Sequence, residues 1–459
     1  MIELKENFER YLEDESSVKG QAEKVIIPEN ENEISEIFKF SQKEKIPVTI
    51  SGGRTGVTGG AVPERGIVIS SEKLKKIEFD EKQQILKVQA GVFLSEIEDF
   101  LKKTPFFYPP DPTEKLASFG GTVATDASGA RGFFYRRTRN YIKKLKVILP
   151  DGEIFECKRG EFIEKDGFLK IMGKKVPCAN FKMPDVKNSA GYYSKKGMDA
   201  VDLFVGSEGT LGFIFEAEVK LIPQENFTGI LVFFTDYHFW DVLNFLKNKK
   251  QKIVSIEFFD ENSLKLLKED FPQIPSSKSA IFFEIKGEDF EFVEKIEKFK
   301  NIKEIFVAEK KREKEFVKNL RHRLPEKINE IVRLKGFTKV ASDFAVKDEN
   351  FKEMFKLHTK AKDEKIPFVL FGHIGESHLH LNFLPEKKED FEKSKVFIKK
   401  LAQRIIKMSG TITAEHGVGR TKKELFYMMF SEKEIEKMLL TKKSLDRQML
   451  LNRGVMFQE

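Results

Sequence analysis

The stretch Ser51-Gly52-Gly53-Arg54-Thr55-Gly56-Val57-Thr58-Gly59-Gly60 constrains this chain more than any other. It follows directly on the apolar run Pro47-Val48-Thr49-Ile50. Upstream lie Val25-Ile26-Ile27-Pro28 and residues 30–43, whose apolar positions 34, 37, 38 and 40 recur at helical spacing. A strand, a helix and a second strand therefore deliver the chain into its most glycine-dense segment. Glycine-rich backbone at a strand end lets N–H groups approach an anion closely, so the arrangement suits a phosphate cradle. The Rossmann spacing G-x-G-x-x-G is not met and no acidic ribose ligand can be assigned, which disfavours a nicotinamide dinucleotide. Taken alone, the loop also admits a plain flexible turn.

Downstream the pattern becomes mixed. Short runs at 67–69, 85–88, 145–149 and 212–221 read as strands, and residues 93–103 read as an amphipathic helix. Between 228 and 310, strands at 230–234, 253–258, 280–285 and 305–307 alternate with helices of mixed charge, which suggests a ferredoxin-like antiparallel sheet with helices on one face. Beyond 406 the chain returns to helices. The expected class is α+β, with a first domain over 1–225, a second over 226–405 and a helical segment over 406–459. A length of 459 residues supports such a division.

Composition excludes several functions. Lys and Arg exceed Asp and Glu by 81 to 73, but the signs alternate along the helices, so the charge of +8 does not indicate nucleic acid. Two cysteines, Cys157 and Cys178, cannot build a disulfide framework or hold an iron–sulfur cluster unaided. No apolar run reaches the ~18–20 residues of a membrane helix. With no charged-then-apolar leader after Met1, the expected location is the cytoplasm, with peripheral membrane association only through a partner.

Two further segments give the glycine loop its context. One is Pro110-Asp111-Pro112-Thr113 followed by Ala117-Ser118-Phe119-Gly120-Gly121-Thr122-Val123-Ala124. The other is Lys187-Asn188-Ser189-Ala190-Gly191-Tyr192 followed by Asp202-Leu203-Phe204-Val205-Gly206-Ser207-Glu208-Gly209-Thr210-Leu211-Gly212. With the loop, they resemble the p-cresol-methylhydroxylase-type FAD fold of the vanillyl-alcohol oxidase superfamily, in its D-lactate dehydrogenase and glycolate oxidase branch. The resemblance covers nearly the whole chain, with the motifs in the family's order.

It implies that Gly52, Gly53, Arg54, Thr55, Gly56, Thr58, Gly59 and Gly60 hold the FAD pyrophosphate. Pro110, Asp111, Ser118, Gly120, Gly121, Val123 and Ala124 would line the flavin and its ribityl arm, and Gly206, Glu208, Gly209, Gly212 and Ile214 would complete the bed. Relatives with covalent flavin carry histidine where this chain has Arg54, so noncovalent FAD is expected. Arg136 replaces a customary glycine after Tyr135, which puts the turn there in question.

Four of the seven histidines, His373, His378, His380 and His416, fall within 44 residues. Val369-Leu370-Phe371 and Leu379-Leu381-Phe383 flank Gly372-His373-Ile374-Gly375-Glu376-Ser377, a hairpin pattern. Period two then sets His378, His380 and Asn382 on one face. Imidazoles joined by the carboxylate of Glu415, in Thr413-Ala414-Glu415-His416-Gly417, suit zinc, with manganese or iron as alternatives. Spacing alone does not choose between His378 and His380. Here the family resemblance assigns ligation to His373, His380 and Glu415, and proton abstraction to His416. It places Arg321, in Phe316-Val317-Lys318-Asn319-Leu320-Arg321-His322, on a substrate carboxylate, with Lys339 a second candidate for that anion. His378 stands where most relatives have asparagine, so it is expected to bond substrate, join the metal or shift substrate preference. His238, His322 and His358 read as ordinary packed or surface side chains.

The implied activity is FAD-dependent oxidation of a small 2-hydroxy acid, of the D-lactate, glycolate or 2-hydroxyglutarate class. Electrons would pass to an external acceptor such as a quinone, a cytochrome, an electron-transferring flavoprotein or a separate iron–sulfur subunit; homo-oligomers are compatible. Two rivals are a transferase like alkyl-dihydroxyacetonephosphate synthase, which carries consecutive histidines where this chain has Ala414-Glu415-His416, and a flavin- and metal-binding sensor whose metal only braces the hairpin.

Overall fold

The computed structural model describes residues 1–288 and 290–458. The opening βαβ unit forms as the periodicity predicts. Strands Lys24–Ile27, Ile67–Ser70 and Val48–Ser51 lie side by side and parallel, with Ile2–Leu4 antiparallel at one edge. Helix Glu31–Glu44 starts where the Asn30 side chain accepts the Glu33 N–H and ends at Lys45, in the left-handed region. It buries Ile34, Ile37 and Phe38, whereas Phe40, expected on the same face, is exposed.

A second, antiparallel sheet takes strands Ile77–Asp80, Ile85–Gln89, Phe213–Lys220, Ile142–Ile148 and Ile154–Lys158 in that spatial order. Helix Phe119–Thr125 packs on it, capped by Ser118, whose hydroxyl oxygen accepts the Gly121 N–H. The glycines of that segment therefore open a short helix. Arg136 keeps the turn that a glycine would make, at φ 67° and ψ −141°.

The third sheet is antiparallel, and its first four strands adopt the order Ile302–Ala308, Phe227–Phe234, Ser279–Lys286, Ile253–Asp260. It is larger than the sequence pattern suggests. The histidine hairpin, Phe368–Gly372 and His378–Phe383, joins its edge through Phe258 and Phe259, and the two-residue strands Val340–Ala341 and Phe344–Ala345 pair with the hairpin's outer strand. Helices also cover both faces rather than one. Helices Glu261–Lys268 and Lys311–Lys335 pack on Leu231, Phe233, Phe259 and Phe282, while Trp240–Lys247 and Asp348–Thr359 share a core with Ile230, Val232, Phe258 and Phe283. The cause lies in the strands: every residue of Ile253–Asp260 is buried, so neither face can meet water.

After helices Lys388–Lys407, Lys423–Met429 and Glu432–Leu445 the chain returns to the first sheet, where Leu451 bridges Val48 in parallel. Among the described residues no helix is long and apolar enough to cross a membrane.

Candidate active site

Where the three sheets meet, a cavity of about 810 Å³ opens to solvent. Its lining includes the glycine-rich loop after Val48–Ser51, the hairpin and the Glu415-His416 turn, and Thr58 of the loop donates through Oγ1 to the His416 carbonyl at 3.3 Å.

Of the residues expected around FAD, Gly52, Gly53, Arg54, Thr55, Gly56, Thr58 and Gly60 line the cavity, as do Ser118, Gly120, Gly121, Ala124, Glu208, Gly209, Gly212 and Ile214. Five do not. Val123 is turned into the core, and Pro110, Gly59 and Gly206 are not part of the lining. Asp111 is held by cations, with Lys115 Nζ at 2.5 Å, Arg321 Nη2 at 3.3 Å and Arg131 Nε at 3.8 Å. Several glycines are required by packing rather than by ligand approach. A Cβ on Gly52 would meet Ser118 Oγ at 2.3 Å, and one on Gly120 would meet Ala90 Cβ at 2.6 Å. On Gly60 it would meet nothing within 4 Å, so that position is open to a bound group.

Arg54 takes the left-handed φ of 59°, and its guanidinium lies 4.6 Å from the centroid of the Tyr11 ring. No nucleophile occupies the covalent histidine's place. FAD released by acid should therefore separate completely from the polypeptide, and a flavin-fluorescent protein band on a denaturing gel would contradict this.

The hairpin turn places His373 just after the strand Phe368–Gly372, and Phe371 pairs with His380 across the ladder. His373 Nε2 and His380 Nε2 come within 3.1 and 3.3 Å of the same atom, Glu415 Oε1. The other carboxylate oxygen, Oε2, accepts from Lys187 Nζ at 2.8 Å and Ser128 Oγ at 3.1 Å. Burial favours the acid form of Glu415, yet Lys187 and His373 hold it well below the usual carboxylate range. Burial pulls His380 down to about 4, which leaves its imidazole neutral. On His373 burial also opposes charge, but Glu415 and Glu257 outweigh it and hold the ring at about 9. One ligand atom from each of His373, His378, His380 and Glu415 lies within 4.8 Å of the others. Buried imidazoles around one carboxylate oxygen fit a divalent cation, which would displace the His373 proton.

His416 lines the cavity beside this group, with Nε2 3.9 Å from Glu415 Oε1 and Nδ1 3.1 Å from Asp343 Oδ2. Arg321 also reaches the cavity, but it is buried between Asp111 at 3.3 Å and Glu257 at 3.5 Å. Lys339 lines the cavity too and donates to Asn329 Oδ1 at 3.0 Å, with no salt bridge among the described residues. Burial and then Lys422 pull its ammonium down to about 8.

His378 departs from expectation. It is fully buried, does not line the cavity, and bonds Asp343 Oδ1 through Nε2 at 2.7 Å. Period two gave its face correctly but not its depth: Ala345 pairs directly opposite and closes that end of the strand. Of its expected roles, this placement suits joining the metal group, since one of its ring nitrogens lies within 4.8 Å of the ligand atoms of His373, His380 and Glu415. Of the other histidines, His238 is exposed and His358 is packed against Met354 and Ser342, while His322 lines the cavity. Asp343, Lys187, Glu257 and Lys422 are parts of the site that sequence reasoning missed. Lys187 stands in a segment already singled out, but a lone Lys or Asp carries no periodic signal.

Comparison with known proteins fits this geometry. Residues 22–158 match the family described as FAD binding domain. Residues 223–456, more than half the chain, match the one described as FAD linked oxidases, C-terminal domain. The chain is 29% identical to a D-lactate dehydrogenase of Archaeoglobus fulgidus, over 94% of this chain and 90% of that protein. It is 29% identical to the glycolate oxidase subunit GlcD of Bacillus subtilis, over 94% and 88%, and 28% identical to a D-2-hydroxyglutarate dehydrogenase of Stutzerimonas stutzeri, over 94% and 90%. A solved alkyldihydroxyacetonephosphate synthase shares the fold, with a TM-score of 0.64 at 16% identity over 95% of this chain and 76% of that one.

Proposed function

The chain belongs to the family of FAD-linked oxidases, and from that premise we propose that it oxidises a small 2-hydroxy acid to the 2-oxo acid, with His416 as base beside a divalent metal. The observation that carries this reading is that His373, His380 and Glu415 converge in the same cavity that the glycine-rich loop lines. The relatives are named as D-lactate dehydrogenase, glycolate oxidase subunit and D-2-hydroxyglutarate dehydrogenase, which supports a 2-hydroxy acid as substrate. When bound, FAD supplies the hydride acceptor, and a zinc, manganese or iron ion supplies positive charge that makes a substrate hydroxyl more acidic.

The protein's own residues do the rest. His373, His380 and Glu415 would hold the metal, and Lys187 and Ser128 occupy the second Glu415 oxygen so that Oε1 alone faces the two imidazoles. His416 takes the hydroxyl proton at Nε2. Arg321 and Lys339 receive the carboxylate. Because two carboxylates already offset Arg321, Lys339 brings the less compensated charge. Lys339→Met should raise the substrate dissociation constant about 10- to 100-fold, as expected for a hydrogen bond to a charged group at ~1.5–3 kcal/mol. Unchanged binding in stopped-flow titration would remove Lys339 from the anion site.

With two cysteines the chain cannot carry its own iron–sulfur cluster, so electrons must leave to an external acceptor. The transferase rival gains nothing from the shared fold, since Glu415 stands within its run of histidines. Anaerobic mixing with D-lactate, glycolate and D-2-hydroxyglutarate tests the reading: at least one should bleach the bound flavin. Flavin that stays oxidised with every 2-hydroxy acid would favour a sensor.

A further inference from the structure

We infer that Asp343 is the positioning residue for the base: its carboxylate fixes the proton of His416 on Nδ1 and turns the lone pair of Nε2 toward the substrate. The inference rests on the reading that His416 takes the hydroxyl proton.

Asp343 lies between Val340–Ala341 and Phe344–Ala345, whose pairings with Asn382 and Leu379 bracket His380 on the hairpin strand. It is 2% exposed, and its oxygens gather donors from three separate segments. Oδ1 accepts from His378 Nε2 at 2.7 Å. Oδ2 accepts from Thr413 Oγ1 at 2.7 Å, Lys422 Nζ at 2.9 Å, the His416 backbone N–H at 3.1 Å and the Glu415 backbone N–H at 3.4 Å. His416 Nδ1 lies 3.1 Å from the same oxygen.

A carboxylate surrounded by so many donors is ionised and can only accept. Facing such an acceptor, Nδ1 of His416 must carry the proton, and a neutral imidazole then has its lone pair on Nε2. Backbone N–H and ring Nδ1 of one residue meeting one oxygen also fix the direction of the ring. When Nε2 gains the hydroxyl proton, the resulting imidazolium already faces a negative charge, which stabilises it without a second proton transfer.

The arrangement gives His378 a place as well. Its Nε2 pins the other Asp343 oxygen. Lys422 offsets the charge of the carboxylate while leaving the His416 contact intact.

The test starts with the wild-type holoenzyme, loaded with FAD and with zinc because zinc is diamagnetic. The protein carries ¹⁵N-histidine, and the His416 signals are assigned by their loss in His416→Asn. The expected spectrum shows a proton on Nδ1 and an unprotonated Nε2; a proton on Nε2 would overturn the proposal without any appeal to Asp343 variants. In Asp343→Asn the limiting rate of flavin reduction by D-lactate should fall about 100- to 10,000-fold, with FAD and zinc retained.

The deficit should shrink with 3,3,3-trifluorolactate, whose more acidic hydroxyl depends less on the base. Equal deficits for both acids would show that Asp343 only braces the turn, and would sink the inference. If no 2-hydroxy acid bleaches the wild-type flavin, the parent reading fails, and the wild-type spectrum still decides whether Asp343 sets the tautomer.

Discussion

Replacing His416 by asparagine should slow flavin reduction roughly 100- to 10,000-fold, the usual cost of losing a general base, while FAD and metal remain bound. The geometry explains the separation of effects. His416 stands 3.9 Å from the Glu415 oxygen that the two imidazoles share, outside their contact distances of 3.1 and 3.3 Å, so its loss should not open the metal group. The backbone N–H of residue 416 keeps its bond to Asp343, which preserves the turn. Stopped-flow reduction, flavin content and elemental analysis on one preparation suffice. Near-normal bleaching would remove His416 from the role. His378→Asn should leave substrate preference unchanged, because His378 does not reach the cavity.

Glu415→Ala and His380→Ala should each release the metal, keep the FAD and lower activity by about 1,000-fold or more, the scale of several kcal/mol of charge stabilisation. The two residues come from different parts of the chain, a turn after helix Lys388–Lys407 and the outer strand of the hairpin, so a shared phenotype would locate the ion between them. The variants should differ in stability. Glu415→Ala leaves Lys187 with Glu376 at 2.9 Å as its remaining carboxylate partner, whereas His380→Ala leaves that buried pairing whole. Removing one partner of a buried ion pair costs ~3–5 kcal/mol when nothing replaces it, and Glu376 should hold the loss below that. Full metal occupancy in both variants would refute the site.

Much of this was legible in the sequence, and the boundary of legibility has physical causes. The opening βαβ unit, the four strands between residues 227 and 308 and the histidine hairpin follow from apolar periodicity, which reports the face that each residue presents. Depth along a strand is not encoded in that way. His378 and His380 share a face, yet the short strand Phe344–Ala345 covers one, and two residues are too few to show a period. Phe40 has the helical spacing of its buried neighbours but ends outside the sheet's cover.

Charges that act through distant partners were also invisible. Lys187 meets Glu415 from another segment, and Asp111, read as a cofactor contact, meets Arg321 from 210 positions away as well as Lys115 in its own segment. Most of the glycines line the cavity, but partly for another reason: at Gly52 and Gly120 neighbouring segments leave no room for a side chain.

Asn452 ties the bed together in a way that bears on biosynthesis. Its side-chain oxygen accepts the Ile50 N–H, 402 positions earlier, and its side-chain nitrogen donates to the Glu208 carbonyl. The strand that launches the glycine loop therefore gains this support only after some 400 further residues have left the ribosome. At ~5–20 residues per second that is a delay of about 20 to 80 s. Until then the nascent loop lacks the partner that fixes its base, so tight capture of the flavin is a late event, and a ribosome-stalled chain ending before residue 450 should retain FAD far less well than the released protein.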